Sequence, residues 1–288
     1  MASGRLGIWL IGARGGVATT ATVGLCALAR GLVGESALVS RLPAFAGLDL
    51  SDWNAMVVAG HEIRGGRLRD EAERLAEDHR AFDPELVRQC ADLLDEADGR
   101  IRTGTLIGCG PTISALADLP PARDRSPREA VERIKDDIRR FAETEQLAHV
   151  IVVNVASTEP PVAAERVPDS WALLNPMLDE LSGCPLRASS LYAVAAMELG
   201  CSYINFTPSL GSDTAALDEL ARTHDTRHMG RDGKTGETLM KSVLAPMFHH
   251  RNLRVMSWVG HNIFGNLDGK VLDDPVNKAS KVASKDHL

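Results

Sequence analysis

The pattern of apolar and polar positions predicts strands that alternate with helices. Residues 5–11 form a short apolar run that ends at Gly12, and residues 17–30 have helical spacing and are rich in alanine and leucine. Residues 149–155 (HVIVVNV) form a β-branched run typical of a buried parallel strand. A strand, a glycine turn and a helix in this order favour an α/β fold.

Further segments extend this alternation. A strand is predicted over residues 53–58, and charged segments with helical apolar spacing over residues 66–100 and 126–146 predict helices that cover the sheet. Ser126 and Glu129 have the spacing of a capping box at the start of the second segment.

The pattern of apolar and polar residues changes from Ser189 onward, and we predict a domain boundary there. The first unit is residues 1–188 and the second is residues 189–288, and the lack of a flexible linker predicts that they pack closely. The second unit is predicted to contain helices at 191–199, from about Asp213 and at 238–248, and strands at 201–206 and 253–259.

Composition excludes several classes of protein. The 288 residues are 44% hydrophobic, enough for a sizeable core. No run approaches the roughly 18 apolar residues of a membrane span, and the first residues lack a signal-peptide pattern, so we expect a cytoplasmic protein without a membrane partner. The five scattered cysteines indicate reduced thiols and no structural zinc site. A net charge of -7 argues against nucleic acid as a partner.

The turn after the first strand has the composition of a dinucleotide-binding loop. Its sequence, GARGGVATT, lets the backbone approach a pyrophosphate at the free amides of the following helix. This is the position where a Rossmann fold binds its cofactor, so we predict NAD as the cofactor. A glycine-rich turn without a ligand is the alternative. The predicted cofactor-binding residues of this turn are Gly12, Gly15, Gly16, Ala18 and Thr19.

Two later strand ends supply further candidates. Glu62 follows the second strand and is predicted to meet an adenosine ribose, although it lies much farther than the usual ~20 residues from the glycines. An ordinary solvated glutamate in a loop is the alternative. Ser157 and Thr158 follow the 149–155 strand, at the edge where open α/β sheets bind ligands.

The chain beyond residue 230 concentrates lysines and aspartates between glycines. The segments 233–242, 265–269 and 279–285 suit a site that holds a phosphate and stabilises oxyanions. A solvated charged surface is the alternative.

Several of these segments together resemble one family. The segments GARGGVATT, VVNVASTE, SLYAVAAMELGCSYINFTPS, GRDGKTGETLMKSVLAPMF and GHNIFGNLDGKVLDDPVNKASKVASK are similar to the myo-inositol-1-phosphate synthases, nearest to their archaeal and bacterial branch. The resemblance implies a Rossmann-type doubly wound parallel sheet with an inserted α+β domain that carries the active site and the oligomer contacts. It also implies a cytoplasmic homotetramer.

The resemblance assigns roles residue by residue. The catalytic candidates are Asp232, Asp268, Lys281 and Lys285, and the substrate-binding candidates are Thr235, Gly236, Lys241 and Asn266. Lys281 would act at the C5 oxygen and Lys285 on an oxyanion or the phosphate. The aspartates would orient the lysines, the nicotinamide or an ion; a mono- or divalent cation is thus a further cofactor candidate, and a structural salt bridge is the alternative role.

The implied activity is the isomerisation of D-glucose 6-phosphate to 1D-myo-inositol 3-phosphate, the first step of inositol and inositol-phospholipid biosynthesis. NAD would oxidise C5, the C6 enolate would attack the C1 aldehyde, and hydride would return to C5. The alternatives are an NAD-dependent sugar-phosphate dehydrogenase and a truncated family member without catalysis.

The sequence departs from the family pattern in places. Arg231 precedes Asp232 where a second acid is usual, Leu239 replaces a lysine of the eukaryotic branch, and Ala18 replaces a glycine. The resemblance also implies a further segment, after Leu288, that supplies another lysine and completes the Rossmann domain. We therefore expect a fragment that is aggregation-prone and nearly inactive alone.

Overall fold

The structure is a computed structural model that describes residues 4–180, 182–233, 236–260 and 267–283. Its strands form a six-stranded sheet in the order β3-β2-β1-β4-β5-β6, and every pairing is parallel. The strands are β1 (Arg5–Ile11), β2 (Met56–Glu62), β3 (Ile101–Thr103), β4 (Leu147–Asn154), β5 (Ser202–Asn205) and β6 (His228–Met229).

Helices cover both faces of this sheet. In chain order they are α1 (Gly16–Ala29), α2 (Leu68–Glu77), α3 (Pro84–Gln89), α4 (Ala91–Gly99), α5 (Pro111–Ser114), α6 (Pro127–Thr144), α7 (Trp171–Leu174), α8 (Ala188–Glu198), α9 (Ala215–Thr223), α10 (Gly236–His250), α11 (Leu267–Val271) and α12 (Pro275–Ala283). Helices α6, α8 and α9 share one core with the sheet, and α1 to α4 form a second core on the other face.

The strand order is that of a Rossmann fold, as the alternation predicts. The chain moves outward from β1 through β2 to β3 and then returns to the other side of β1 at β4. Ligands of open α/β sheets bind outside the carboxyl ends of the strands at such a reversal. The fold therefore puts the glycine turn after β1 beside the loop after β4.

Side chains of β1 alternate between the two faces of the sheet. Trp9 and Ile11 join the core beneath α6 and α8, while Leu10 packs with Ala18 of α1. Because both faces of β1 are covered, the strand is a nearly continuous apolar run, as expected for a buried parallel sheet.

Of the two hydrogen bonds that define the predicted capping box at the start of α6, one is present. The Ser126 hydroxyl accepts a hydrogen bond from Glu129 N at 3.2 Å. The Glu129 carboxylate, however, accepts from Arg125 N at 2.8 Å, one residue before the partner that a capping box requires.

Two predictions about the second half of the chain differ from the structure. The strand predicted at 253–259 is wrong, because these residues form no strand and the apolar ones among them are largely exposed. The boundary predicted between 188 and 189 falls inside α8, and β5 and β6 continue the sheet of the first unit. The inserted α+β domain stays a prediction.

Candidate functional site

A cavity of about 860 Å³ lies at the carboxyl edge of the sheet, beside the loops that follow β1 and β4. Its volume is in the range of small-molecule and cofactor sites. It brings together residues from both halves of the chain. The predicted site residues that line it are Gly12, Gly15, Gly16, Glu62, Ser157, Thr158, Asp232, Gly236 and Lys281.

The glycine turn forms one end of the cavity. Gly12 has φ +81°, and a Cβ there would lie 2.9 Å from Ala156 Cα, so only glycine fits between β1 and the loop after β4. Gly15 precedes α1, whose first turn has neither a side-chain cap nor an acidic residue. First-turn amides have no acceptor within their helix, so this helix start suits an anion such as a pyrophosphate.

Ala18 and Thr19 are not among the lining residues. Both are fully buried inside α1, and the Thr19 hydroxyl has no hydrogen-bond partner within the described part of the chain. Their side chains are on the buried side of α1, so they do not reach the cavity.

Glu62 ends β2 and faces the glycine turn. It is buried, so it is not the solvated loop residue of the alternative interpretation. One carboxylate oxygen accepts a hydrogen bond from Arg14 N at 2.9 Å and the other accepts from Ile63 N at 2.8 Å. Glu62 therefore ties the glycine turn to β2 at the cavity wall.

The loop after β4 contributes Ser157, Thr158 and a buried acid that sequence reasoning missed. Glu159 accepts hydrogen bonds from Ser189 N at 2.8 Å and from Ser189 Oγ at 2.5 Å, and both residues line the cavity. Burial raises the pKa of Glu159 to about 7. The sequence does contain a signal for Glu159, because this glutamate comes directly after the small residues that follow a buried strand.

A second missed group is centred on His61, near the end of β2. His61 Nδ1 is 2.8 Å from the Tyr192 hydroxyl, and its Nε2 is 3.2 Å from the Asp137 carboxylate. Complete burial lowers the pKa of His61, which favours the neutral ring that accepts from Tyr192 and donates to Asp137. His61 and Tyr192 both line the cavity. No local pattern links these residues, which come from β2, α8 and α6.

Residues from the second half of the chain form a second wall of the cavity. Asp232 has φ +65°, and its backbone N donates to Thr207 O at 3.1 Å in the loop after β5. Gly236 begins α10, and Lys281 belongs to α12. The structure therefore brings the predicted catalytic residues Asp232 and Lys281 to the cavity that the glycine turn lines.

Lys241 lies outside this cavity. Its Nζ is 2.7 Å from Glu237 Oε1 and lies over the Trp258 ring, 5.9 Å from its centroid. Because Lys241 does not line the cavity and pairs with Glu237 instead, this placement does not support a direct role on the substrate. The predicted residues Thr235, Asn266 and Lys285 lie outside the described residues, as does the side chain of Asp268.

Comparison with known proteins identifies the family. The sequence model described as myo-inositol-1-phosphate synthase, an NAD-binding family, matches residues 6–276. The chain belongs to this family. Inositol-3-phosphate synthase 1 of Bacteroides thetaiotaomicron is 31% identical over an alignment of 310 positions, gaps included, which covers 99% of this chain and 67% of that protein. The human inositol-3-phosphate synthase 1 is 35% identical over 61% of this chain and 31% of its own length.

Solved structures of inositol phosphate synthases share the fold. The Caenorhabditis elegans inositol-3-phosphate synthase has a TM-score of 0.79 at 20% identity and covers 98% of this chain. A synthase-related protein of Thermotoga maritima has a TM-score of 0.61 at 20% identity over 86% of this chain. This chain spans 60% of the length of each.

The residues that the structure describes were also compared with the requirements of a metal site and of a membrane-spanning helix. No three His, Cys, Asp or Glu side chains there come together as a metal site. No helix there is long and apolar enough to span a membrane.

Proposed function

We propose that this chain takes part in the conversion of D-glucose 6-phosphate to 1D-myo-inositol 3-phosphate, with NAD as a bound cofactor. The observation that carries the proposal is the shared cavity. It joins a dinucleotide-type glycine turn to Asp232 and Lys281, the described residues that match the family's active site. A protein that only binds NAD would not require these further residues, and the product assay below separates a synthase from a dehydrogenase.

The residues at the glycine end fit the cofactor. Gly12 leaves no room for a side chain, Gly16 is open toward the cavity, and the uncapped start of α1 presents backbone amides to a pyrophosphate. Glu62, Ser157 and Thr158 complete this wall. When bound there, NAD supplies a hydride acceptor that also returns the hydride.

The lysines Lys281 and Lys285 would stabilise negative charge that develops on substrate oxygens. Oxidation at C5, enolisation at C6 and attack on C1 each develop negative charge on a substrate oxygen, which a positioned cation stabilises. We assign Lys281 to the C5 oxygen and its proton, and Lys285 to an oxyanion or the phosphate. Asp232 and Asp268 would orient these lysines, and Thr235, Gly236 and Asn266 would hold the substrate phosphate.

The decisive experiment combines glucose 6-phosphate with substoichiometric NAD. An inositol phosphate synthase forms inositol phosphate, detected by phosphorus NMR, without net NADH, because the hydride returns to the product. Stoichiometric NADH without inositol phosphate would identify a dehydrogenase. Absence of both products would contradict turnover by this chain, and calorimetry with NAD would then test the cofactor site alone.

A thermal shift assay tests the phosphate site separately. Inorganic phosphate or glucitol 6-phosphate should raise Tm through binding to the folded state, whereas unphosphorylated glucitol should not. Equal protection by glucitol would contradict a phosphate site.

Assembly into a homo-oligomer is a further part of the proposal. Helix α10 has no buried residue and exposes Leu239, Met240 and Val243, and the segment that follows it exposes Met256 and Val259. A concentration of exposed large apolar side chains in one part of a chain favours an interface with another protein surface. Light scattering should give a mass above the 31.0 kDa of one chain, and Val243→Lys together with Met256→Lys should reduce it.

A further inference from the structure

Helix α12, which carries Lys281, has a polar buried side. Asn277 is 0% exposed and Ser280 is 6% exposed, whereas Val276 and Val282 are 54% and 57% exposed. Helices usually dock by burying an apolar stripe. Because α12 exposes its valines instead, contacts other than apolar burial must hold it in place.

Two side-chain hydrogen bonds connect α12 and the residue before it to the rest of the fold, and one of them reaches the cavity wall. Asn277 Nδ2 donates to Thr158 O at 2.8 Å, in the loop after β4. At the start of the helix, Asp274 Oδ2 accepts from Thr112 Oγ1 and its Oδ1 accepts from Val276 N at 2.9 Å. The hydrogen bond of Asn277 is the more deeply buried of these contacts, because Asn277 is fully buried.

An apolar contact precedes these hydrogen bonds. Val271, in α11, is fully buried and packs with Cys109, Ile113 and Ala188. It anchors the chain before α12, but it lies ten positions from Lys281. The position of the lysine therefore depends on how α12 itself is held.

Asn277 and Lys281 are separated by one helical turn. Residues at i and i+4 lie on the same face of a helix, so a contact at Asn277 directs the Lys281 side chain to the same side. Thr158 and Lys281 both line the cavity. We propose that Asn277 is a positioning residue, whose hydrogen bond to Thr158 holds α12 so that Lys281 lies in the cavity. The value of this position for catalysis rests on the proposed function.

Hydrogen exchange tests the docking without any activity. Asn277→Ala removes the side-chain amide, and Asn277→Asp keeps its size but cannot donate to a carbonyl oxygen. In both variants the α12 amides should exchange about tenfold faster, the usual effect of losing one buried hydrogen bond. Val276→Ala, on the exposed side of the same helix, is the matched control and should leave exchange unchanged. Wild-type protection in Asn277→Asp, or no protection of α12 in the wild type, would overturn the proposal.

A double-mutant cycle tests the link to Lys281. Asn277→Ala should lower kcat about tenfold or more and leave NAD affinity unchanged, and it should add no further loss in a Lys281→Ala background. An equal loss in both backgrounds would show that Asn277 does not act through Lys281. If Lys281→Ala alone kept full activity, the catalytic assignment would be wrong, whereas the exchange result would still decide the docking.

Discussion

Glu159 and Ser189 form a buried hydrogen-bonded pair in the wall of the cavity. The Glu159 carboxylate accepts from the Ser189 backbone N at 2.8 Å and from its hydroxyl at 2.5 Å. Ser189 is the second residue of α8, so the carboxylate satisfies an amide at the helix start, where a negative charge is favoured. Burial outweighs these contacts and raises the pKa of Glu159 to about 7.

This pKa predicts a stability that falls between about pH 4.5 and 7. The folded protein holds a proton on Glu159 that the unfolded chain has released, so raising the pH through this window favours unfolding. Glu159→Gln should remove this dependence, which amounts to about 3 kcal/mol for a shift from 4.5 to about 7. Urea unfolding of both proteins across the window measures it, and parallel pH curves would contradict the assignment.

Gly16→Val should weaken NAD binding without unfolding the protein. A Cβ at Gly16 would meet nothing closer than 3.8 Å, but the side chain would occupy cavity space beside the pyrophosphate site. We expect at least about a tenfold loss of NAD affinity by calorimetry.

Gly24→Ala is the matched control in the same helix. A Cβ there has nothing within 4 Å, so the variant should keep NAD affinity and gain about 0.5–1 kcal/mol of stability. Gly15→Val is a less clean test, because its Cβ would lie 3.0 Å from Gly12 O and would disturb the turn itself. Unchanged affinity in a folded Gly16→Val protein would remove the nucleotide site from this turn.

Tyr192→Phe should destabilise the protein by about 1–3 kcal/mol, because it leaves the buried Nδ1 of His61 without a donor. Ser202→Ala is the control, since it removes a similar hydrogen bond to the half-buried His149 and should cost less. The lowered pKa of His61 also predicts stability that is present above its ordinary pKa of 6.5 and is lost as pH falls below it. Chemical denaturation at neutral and mildly acidic pH measures both effects.

Lys281→Ala and Lys241→Ala should differ widely. Lys281 lines the cavity, so its loss should lower turnover by about a hundredfold or more if it stabilises the C5 oxyanion. Lys241 forms an exposed ion pair with Glu237, so its replacement should cost at most about 1 kcal/mol and leave turnover nearly unchanged. Comparable losses of inositol phosphate formation in both variants would show that Lys241 also acts on the substrate.

The sequence by itself determined the elements whose patterns are local. The apolar run at Arg5–Ile11 is β1, the glycine turn joins it to α1, and Ser126 begins α6 as expected. Each depends on residues within a few positions of one another, so periodicity and turn chemistry suffice to predict it. The motifs of the family also indicated the Rossmann-type fold.

Only the tertiary structure decided which side chains meet. Asn277 reaches Thr158 across 119 residues and Tyr192 reaches His61 across 131, and no local period encodes such distances. Burial likewise decided that the pKa of Glu159 is raised to about 7, and the placement of α10 decided that Lys241 stays outside the cavity. Residues 253–259 form no strand despite their apolar spacing, because a strand needs a neighbour to pair with and the sequence of one segment does not show whether that neighbour is present.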